Sequence, residues 1–146
     1  MDQEKAKQIL EADGYTMNSS TGIYEKDGQP LSITISCYAK RSVDTVSILM
    51  QEQLKNIGID IQIALEEDPD GTYMSTKDFE IGMYVAITDK AGEPFTFLNS
   101  GIASGSYMDV CGFGNADTDA LINELRFETD ETKAAELANQ IGRAHV

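Results

Sequence analysis

Residues 31–65 read LSITISCYAKRSVDTVSILMQEQLKNIGIDIQIAL, and they carry the clearest secondary-structure pattern in the chain. Apolar and polar residues alternate over 31–38 and again over 59–65, which predicts two strands with one buried face each. Between them, residues 43–57 repeat apolar side chains at helical spacing. A strand, a helix and a strand within about 35 residues form a βαβ unit, which predicts parallel strands joined by a right-handed crossover.

The ends and the buried face of this helix can also be predicted. Ser42 is expected to cap its N-terminus, because a serine hydroxyl can accept a backbone N–H of the first turn. Gly58 is expected to end it, because glycine readily adopts the left-handed conformation there. The residues expected to share the buried face are Val43, Val46, Met50, Leu54 and Ile57.

A third alternating segment, residues 79–87, predicts a further strand. Its expected buried face consists of Phe79, Ile81, Met83, Val85 and Ile87. The remaining elements are predicted from apolar spacing, caps and turn formers: a helix over 3–13, a hairpin-like turn over 25–30, a short helix after Asp70-Gly71, a short helix over 94–100 beginning at Pro94, a surface loop over 101–114, a helix from Asn115 to about Phe127, and a last helix capped by Thr129 or Asp130. These elements predict a single α/β domain over residues 1–146, with a small, largely parallel sheet and flanking helices.

Composition excludes several classes of partner. The formal net charge is −14, which repels nucleic-acid phosphates and anionic lipid headgroups. No apolar run approaches the roughly 20 residues that a membrane-spanning helix needs. The charge has two readings, which are solubility and attraction of cationic ligands.

Catalytic and metal-binding arrangements of the common kinds are also absent. The chain has one histidine, His145, near its end, so Ser/His/Asp and Cys/His nucleophile pairs and a Cys/His zinc site are excluded. Cys37 lies in a strand pattern and is interpreted as a small core residue, whereas a disulfide with Cys111 stays open. We therefore expect no enzyme, no cofactor and no resident metal.

The acidic run of residues 66–71, EEDPDG, resembles the first half of a calcium loop. Such a loop needs a bidentate glutamate at its twelfth position, which is Lys77 here. A solvated turn at the end of a strand is the preferred interpretation. A stand-alone acidic interaction or metal-binding domain stays as the alternative function.

A ligand-facing segment is predicted at residues 88–93, TDKAGE, just past the end of the third strand. Ligands of open α/β sheets bind beyond the carboxyl ends of the strands. An ordinary strand-to-helix connection is the other reading. The aromatic residues Tyr84, Tyr107 and Phe113 are either pocket-lining or core.

Four stretches stand out in order along the chain: residues 4–15, EKAKQILEADGY; residues 22–35, GIYEKDGQPLSITI; residues 51–63, QEQLKNIGIDIQI; and residues 112–122, GFGNADTDALI. In this order they resemble the family 5 extracellular solute-binding proteins, the peptide- and nickel-type binding proteins of ABC importers. In the last stretch Ala116 stands where the family usually has proline. Together they span nearly the whole chain.

The resemblance implies a lobe of a periplasmic-binding-protein-like fold, namely most of the C-terminal lobe of a two-lobed protein whose N-terminal lobe is missing here. It implies the substrate-binding component of an ABC importer, which captures oligopeptides or nickel and metal-chelate solutes outside the membrane and delivers them to permease subunits. It also implies an extracytoplasmic location, in the periplasm or at the cell surface, with the full-length protein anchored as a lipoprotein.

The candidate ligand residues are Tyr84, Thr88, Asp89, Lys90, Glu93 and Ser106. Peptide binders of the family place an aspartate at the position of Lys90, although Asp89 is adjacent here. Nickel-type members place an aromatic at the position of Thr88 and a histidine at roughly Ser106. Both ligand patterns are therefore broken, while the spacing of this segment is closer to the nickel-type branch.

Overall fold

A computed structural model describes residues 2–88 and 92–143. The described chain contains five α-helices, six β-strands and one irregular helical turn: α1 Gln3–Ala12, β1 Thr16–Asn18, β2 Ile23–Lys26, β3 Gln29–Pro30, β4 Ser32–Cys37, α2 Val43–Lys55, β5 Asp60–Leu65, the turn Asp70–Met74, β6 Ile81–Gly82, α3 Phe95–Gly101, α4 Ala116–Leu125 and α5 Glu131–Arg143. The chain divides into two compact units, residues 1–85 and 86–146. The assignment of a single domain stays a prediction.

The first unit is built on the predicted βαβ element. Strand β4 lies between β5 and β6 and runs parallel to both. Its register pairs Ile33 with Ile61, Cys37 with Leu65, and Ile35 with Ile81. The parallel sheet and the helical crossover between its first two strands are confirmed.

The central strand supplies the core of this unit. Ile35 and Cys37 are completely buried, and Ile61 on β5 is 2% exposed. Ile57, at the end of the crossover, joins the same cluster. Cys37 is thus a core residue, as predicted, and its thiol is free, as is that of the exposed Cys111.

Two predictions about α2 are wrong. Ser42 adopts a left-handed conformation, with φ 61°, and its side chain makes no capping bond. Val46 is 44% exposed, while Ser47 is fully buried and donates its hydroxyl to the Val43 carbonyl at 2.9 Å. Val43, Met50, Leu54 and Ile57 join the core as predicted, and only at the second turn does Ser47 take the buried position expected for Val46.

The predicted third strand is much shorter than expected. Among the described residues of this segment, only Ile81 and Gly82 pair in the sheet. The alternating pattern places Val85 and Ile87 on a buried face, but they are 37% and 67% exposed. A short helix is predicted to follow Asp70-Gly71, and a helical turn is found over Asp70–Met74, so it begins two residues earlier than expected.

An antiparallel ribbon of β1, β2 and β3 precedes the parallel sheet. The hairpin turn predicted over residues 25–30 is confirmed, because Asp27 and Gly28 both adopt positive φ between β2 and β3. The sequence pattern does not predict strand β1. The ribbon is fastened to the parallel-sheet element by the Tyr24 amide, which donates to the Gly58 carbonyl at 2.8 Å.

The second unit contains α3, α4 and α5. Its core is formed by Ile122 and Leu125 of α4 with Leu137 and Ile141 of α5. Asn115 caps the N-terminus of α4, as predicted, and forms a capping box there. Helix α4 ends at Leu125, two residues before the predicted end, and Asp130 caps α5 by accepting the amides of the second and third residues after it.

Within residues 2–88 and 92–143, no helix is both long enough and apolar enough to cross a membrane.

Candidate functional site

The carboxyl ends of the parallel strands in the first unit form an open cleft of about 560 Å³. Residues at or directly after the ends of β4 and β5 line it: Tyr38, Ala39, Lys40, Leu65, Glu66 and Glu67. Parallel strands end together at one edge, which brings these residues side by side. The cleft therefore combines apolar surface with charged groups of both signs.

Two tyrosines form an aromatic pair at this edge. The rings of Tyr38 and Tyr84 lie 6.0 Å apart and are tilted by 55°. The hydroxyl of Tyr84 donates to a carboxylate oxygen of Asp70 at 2.9 Å. The half-buried Tyr84 is thus fixed at both its ring and its hydroxyl.

Tyrosine hydroxyls also hold the chain as it leaves β6. The Val85 amide donates to the hydroxyl oxygen of Tyr38 at 3.2 Å, and the hydroxyl of Tyr73 donates to the Met83 carbonyl at 2.7 Å. Burial raises the pKa of Tyr73 to about 12, so this hydroxyl keeps its proton at neutral pH. Tyr73 packs edge-on against Phe79, with ring centres 6.0 Å apart.

In the second unit, Glu93 closes the N-terminus of α3. Its carboxylate accepts the amide of Phe95, and it also accepts both the amide and the hydroxyl of Thr96. Two of these three donors are backbone amides that the helix leaves without an internal acceptor. Pro94 was predicted to begin this helix, which starts at Phe95 with Pro94 as its cap residue.

Two clefts lie beside this segment in the second unit. The smaller, of about 180 Å³, is lined by Thr88, Gly92, Glu93 and Pro94. The larger, of about 760 Å³, adds the start of α5, where Glu128 accepts the amides of Thr129 and Asp130 at 2.8 Å each. The acidic groups of the larger cleft therefore serve partly as local caps.

The loop predicted over residues 101–114 is organised by a carboxylate that the sequence pattern did not reveal. Asp109 is only 6% exposed and accepts the amides of Phe113 and Gly114 at 2.8 and 3.3 Å. Tyr107, two residues earlier, is 63% exposed. No local periodicity signals such a clamp, because it joins an acidic side chain to backbone amides four and five residues later.

The same loop is tied to α4 through Asp119, which accepts the Ser104 amide at 2.8 Å. Hydrogen bonding from Ser104 lowers the pKa of the Asp119 carboxyl below its ordinary value. Gly114 permits the close approach, since a Cβ there would lie 2.5 Å from the Ser104 nitrogen.

The predicted ligand residues fall in different places. Tyr84 belongs to the first unit, whereas Thr88, Glu93 and Ser106 belong to the second; Thr88 and Glu93 line one cleft. The Oγ atom of Ser106 is buried and has no hydrogen-bond partner within the described residues. Asp89 and Lys90 lie outside the described residues.

Two carboxylates of the acidic run after β5 accept hydrogen bonds from other parts of the chain. Asp68 accepts the Gly71 amide at 3.1 Å, and Asp70 accepts the Tyr84 hydroxyl. Over residues 2–88 and 92–143, no group of three or more His, Cys, Asp or Glu side chains is arranged to hold a metal ion.

The known proteins that resemble the chain are solute-binding proteins of one family. The family model of the bacterial extracellular solute-binding proteins, family 5 (middle region), matches residues 1–108. The nickel-binding periplasmic protein of Escherichia coli (strain K12) is 33% identical over 96% of the chain, and the nickel-binding protein NikA of Staphylococcus aureus is 25% identical over 94%. The oligopeptide-binding protein AppA of Bacillus subtilis is 35% identical over 44% of the chain.

Solved structures resemble the chain along nearly its whole length. A nickel ABC transporter structure from Bacillus halodurans superposes with a TM-score of 0.77 and 26% identity over 97% of the chain, which is 30% of that protein. NikA from Brucella suis, in complex with Fe(III)-EDTA, gives the same TM-score and identity over 99% of the chain. The chain spans only 28% and 26% of the lengths of the two nickel-binding relatives.

Proposed function

The chain belongs to the bacterial extracellular solute-binding proteins of family 5, and on that premise we propose that it forms most of the C-terminal lobe of a solute-binding component of an ABC importer. The lobe contributes one wall of a ligand cleft and has no catalytic role. The second wall is supplied by the N-terminal lobe of the longer protein, since the chain spans about a quarter of its nickel-binding relatives' length.

The observation that carries this proposal is the open carboxyl end of the parallel sheet. Tyr38 and Tyr84 form a fixed aromatic surface there, and Lys40 and Glu66 add charge beside it. A concave, mainly apolar surface with a few polar groups is the usual form of a small-molecule site. Its place beyond the strand ends is where open α/β sheets bind ligands.

We propose a metal chelate of the nickel type as the solute, with an oligopeptide as the alternative. The nickel-binding relatives align with at least 94% of the chain, whereas AppA aligns with 44% of it. The net charge of −14 favours a cationic solute over an anionic one.

The proposed ligand-contacting residues are Tyr84, Thr88, Asp89, Lys90, Glu93 and Ser106. The shared cleft of Thr88 and Glu93 supports these two together. Glu93 already accepts three donors of its own helix, so its expected contribution is to shape the segment rather than to ligate a metal. Ser106 would have to turn its buried hydroxyl outward to reach a solute.

An NMR titration of the 146-residue chain tests the proposal. We expect the Ni(II)–L-histidine complex to shift amide signals near Tyr38 and Tyr84, with a dissociation constant of about 1 mM or weaker, because closure of two lobes normally buries the ligand. A short oligopeptide and metal-free L-histidine serve as comparison probes. Absence of shifts with every probe, or shifts confined to α1, would refute the proposed site. Micromolar affinity would refute the proposal that the chain supplies only one wall of the ligand cleft.

We also propose an extracytoplasmic location, with the full-length protein anchored as a lipoprotein and docking on permease subunits. The family's extracellular character supports this location. Cell fractionation of the source organism with metabolic palmitate labelling tests it. A labelled product in the membrane fraction is expected, and an unlabelled cytosolic product would contradict it.

A further inference from the structure

The sheet of the first unit splits at its carboxyl end. Strands β4 and β6 form a regular ladder as far as Met83, whose amide donates to the Ser36 carbonyl at 2.9 Å. In a continued parallel ladder, the Met83 carbonyl would next accept the Tyr38 amide, and the Val85 amide would donate to the Tyr38 carbonyl. Continued pairing is also what the alternating pattern of residues 79–87 predicts.

Two tyrosine hydroxyls occupy these positions instead. The Met83 carbonyl accepts the hydroxyl of Tyr73 at 2.7 Å, and the Val85 amide donates to the hydroxyl oxygen of Tyr38 at 3.2 Å. A hydroxyl lies a whole side chain away from its own backbone. A segment bonded to it therefore need not approach β4 to the 4.7–4.9 Å or so of neighbouring strands.

Both tyrosines are placed to keep this arrangement. Tyr73 is 3% exposed and Tyr38 is 7% exposed, so both rings are held by close packing. Each hydroxyl also satisfies a backbone group of residues 83–85 that has no strand partner there. Tyr38 additionally lines the cleft beyond β4 and packs against Tyr84.

We propose that Tyr38 and Tyr73 are positioning residues that prevent β4 and β6 from pairing beyond Met83, and so keep the carboxyl end of the sheet open for the solute. This inference rests on the proposed function, since a crevice at this edge matters only if a ligand enters it. The two hydroxyls act through the backbone of residues 83–85 and do not themselves need to contact the solute.

Amide hydrogen exchange on the 146-residue chain, measured by NMR, tests the hydroxyl contacts. Tyr38→Phe is expected to raise the exchange rate of the Val85 amide about tenfold, as loss of one acceptor would, while the Met83 amide keeps its bond to Ser36 and serves as the internal reference. Tyr73→Phe is expected to shift the ¹³C resonance of the Met83 carbonyl.

The matched control is Tyr24→Phe. Tyr24 is 2% exposed and donates its hydroxyl to Glu11 at 2.9 Å, so the variant removes a comparable bond in the same unit but away from β6. It should leave the Val85 amide unchanged. An unchanged Val85 rate in Tyr38→Phe, or an equal rise in Tyr24→Phe, would overturn the proposal.

Titration with Ni(II)–L-histidine connects the split to binding. We expect Tyr38→Phe and Tyr73→Phe to weaken the affinity at least fivefold, and Tyr24→Phe to change it less than twofold. Equal affinity in all three variants would overturn the positioning role. If the unmodified chain binds neither this probe nor a peptide, the proposed function fails, and so does the inference that the open strand ends serve solute binding. The hydrogen-exchange experiment still decides whether the two hydroxyls hold the strands apart.

Discussion

Substitution of Gly58 by alanine is expected to loosen the attachment of the β1–β3 ribbon. Gly58 has φ +87°, and a Cβ there would lie 2.8 Å from a Tyr24 ring carbon and 2.7 Å from the Met17 methyl. The end of the methionine side chain can move. Tyr24 is held in place, because its backbone amide donates a hydrogen bond to the Gly58 carbonyl and its hydroxyl donates one to Glu11. The added methyl group therefore meets a rigid neighbour.

The expected cost follows from two contributions. A non-glycine residue at this φ costs about 1–2 kcal/mol, of which about 0.4–1 kcal/mol is recovered through the less flexible unfolded chain. Overpacking against the Tyr24 ring adds about 1–3 kcal/mol. We therefore expect Gly58→Ala to lower the free energy of unfolding by about 1–5 kcal/mol.

Gly22→Ala separates these contributions. Gly22 has φ +73°, and a Cβ added there would meet no atom within 4 Å, so this variant carries the conformational cost without the clash. Urea unfolding should be followed through individual amide signals, so that residues 2–85 are read separately from residues 92–143. If Gly58→Ala is no more destabilising than Gly22→Ala, the inferred contact with the Tyr24 ring is wrong.

Three further outcomes are expected. Asn115→Ala should destabilise the second unit by about 1–2 kcal/mol in urea unfolding through loss of the capping box, whereas Asn123→Ala on the exposed face of α4 should have little effect. The pKa of Asp119 is lowered in the folded chain, so its contribution to stability is present above the unfolded pKa of about 3.9 and is lost as pH falls through the folded pKa. The Ser104 amide should therefore loosen in acid, which NMR spectra between about pH 6 and 2 would follow, and Asp119→Asn should remove this pH dependence. Ile35→Ala should cost about 2–5 kcal/mol in urea unfolding, because the side chain is completely buried in the central strand, and a loss below about 1 kcal/mol would contradict that burial.

Local periodicity is sufficient to predict the βαβ element. Alternation over residues 31–38 and 59–65 reports which side chains face the core, and Ile35 and Ile61 are indeed buried. The helix between them follows from its apolar spacing, and it starts where that spacing predicts even though Ser42 does not cap it. These features depend on neighbours close in sequence, which is why a single sequence reveals them.

The length of β6 could not be predicted in the same way. Alternation over residues 79–87 is a valid strand pattern, but pairing stops after Gly82 because Tyr73 and Tyr38 take the next backbone positions. Neither contact leaves a periodic trace, since one partner lies 10 residues away and the other 47. The Asp109 clamp escapes prediction for a related reason: a single aspartate in a glycine-rich loop has the same composition whether it is buried or solvated.

Three acidic side chains of the two units already accept hydrogen bonds from the chain itself. Asp70 accepts the Tyr84 hydroxyl, Glu93 caps α3, and Glu128 accepts two amides before α5. Attraction of a cationic solute is therefore expected to come from the net charge of −14 acting at a distance, not from direct ligation by these carboxylates. Raising the salt concentration from about 20 to 500 mM should then weaken the apparent affinity for a cationic chelate, because charges separated by more than about a Debye length are screened. The set of shifted amides should stay the same. A salt-independent affinity would instead indicate that one of these carboxylates leaves its hydrogen-bond partner and binds the metal directly.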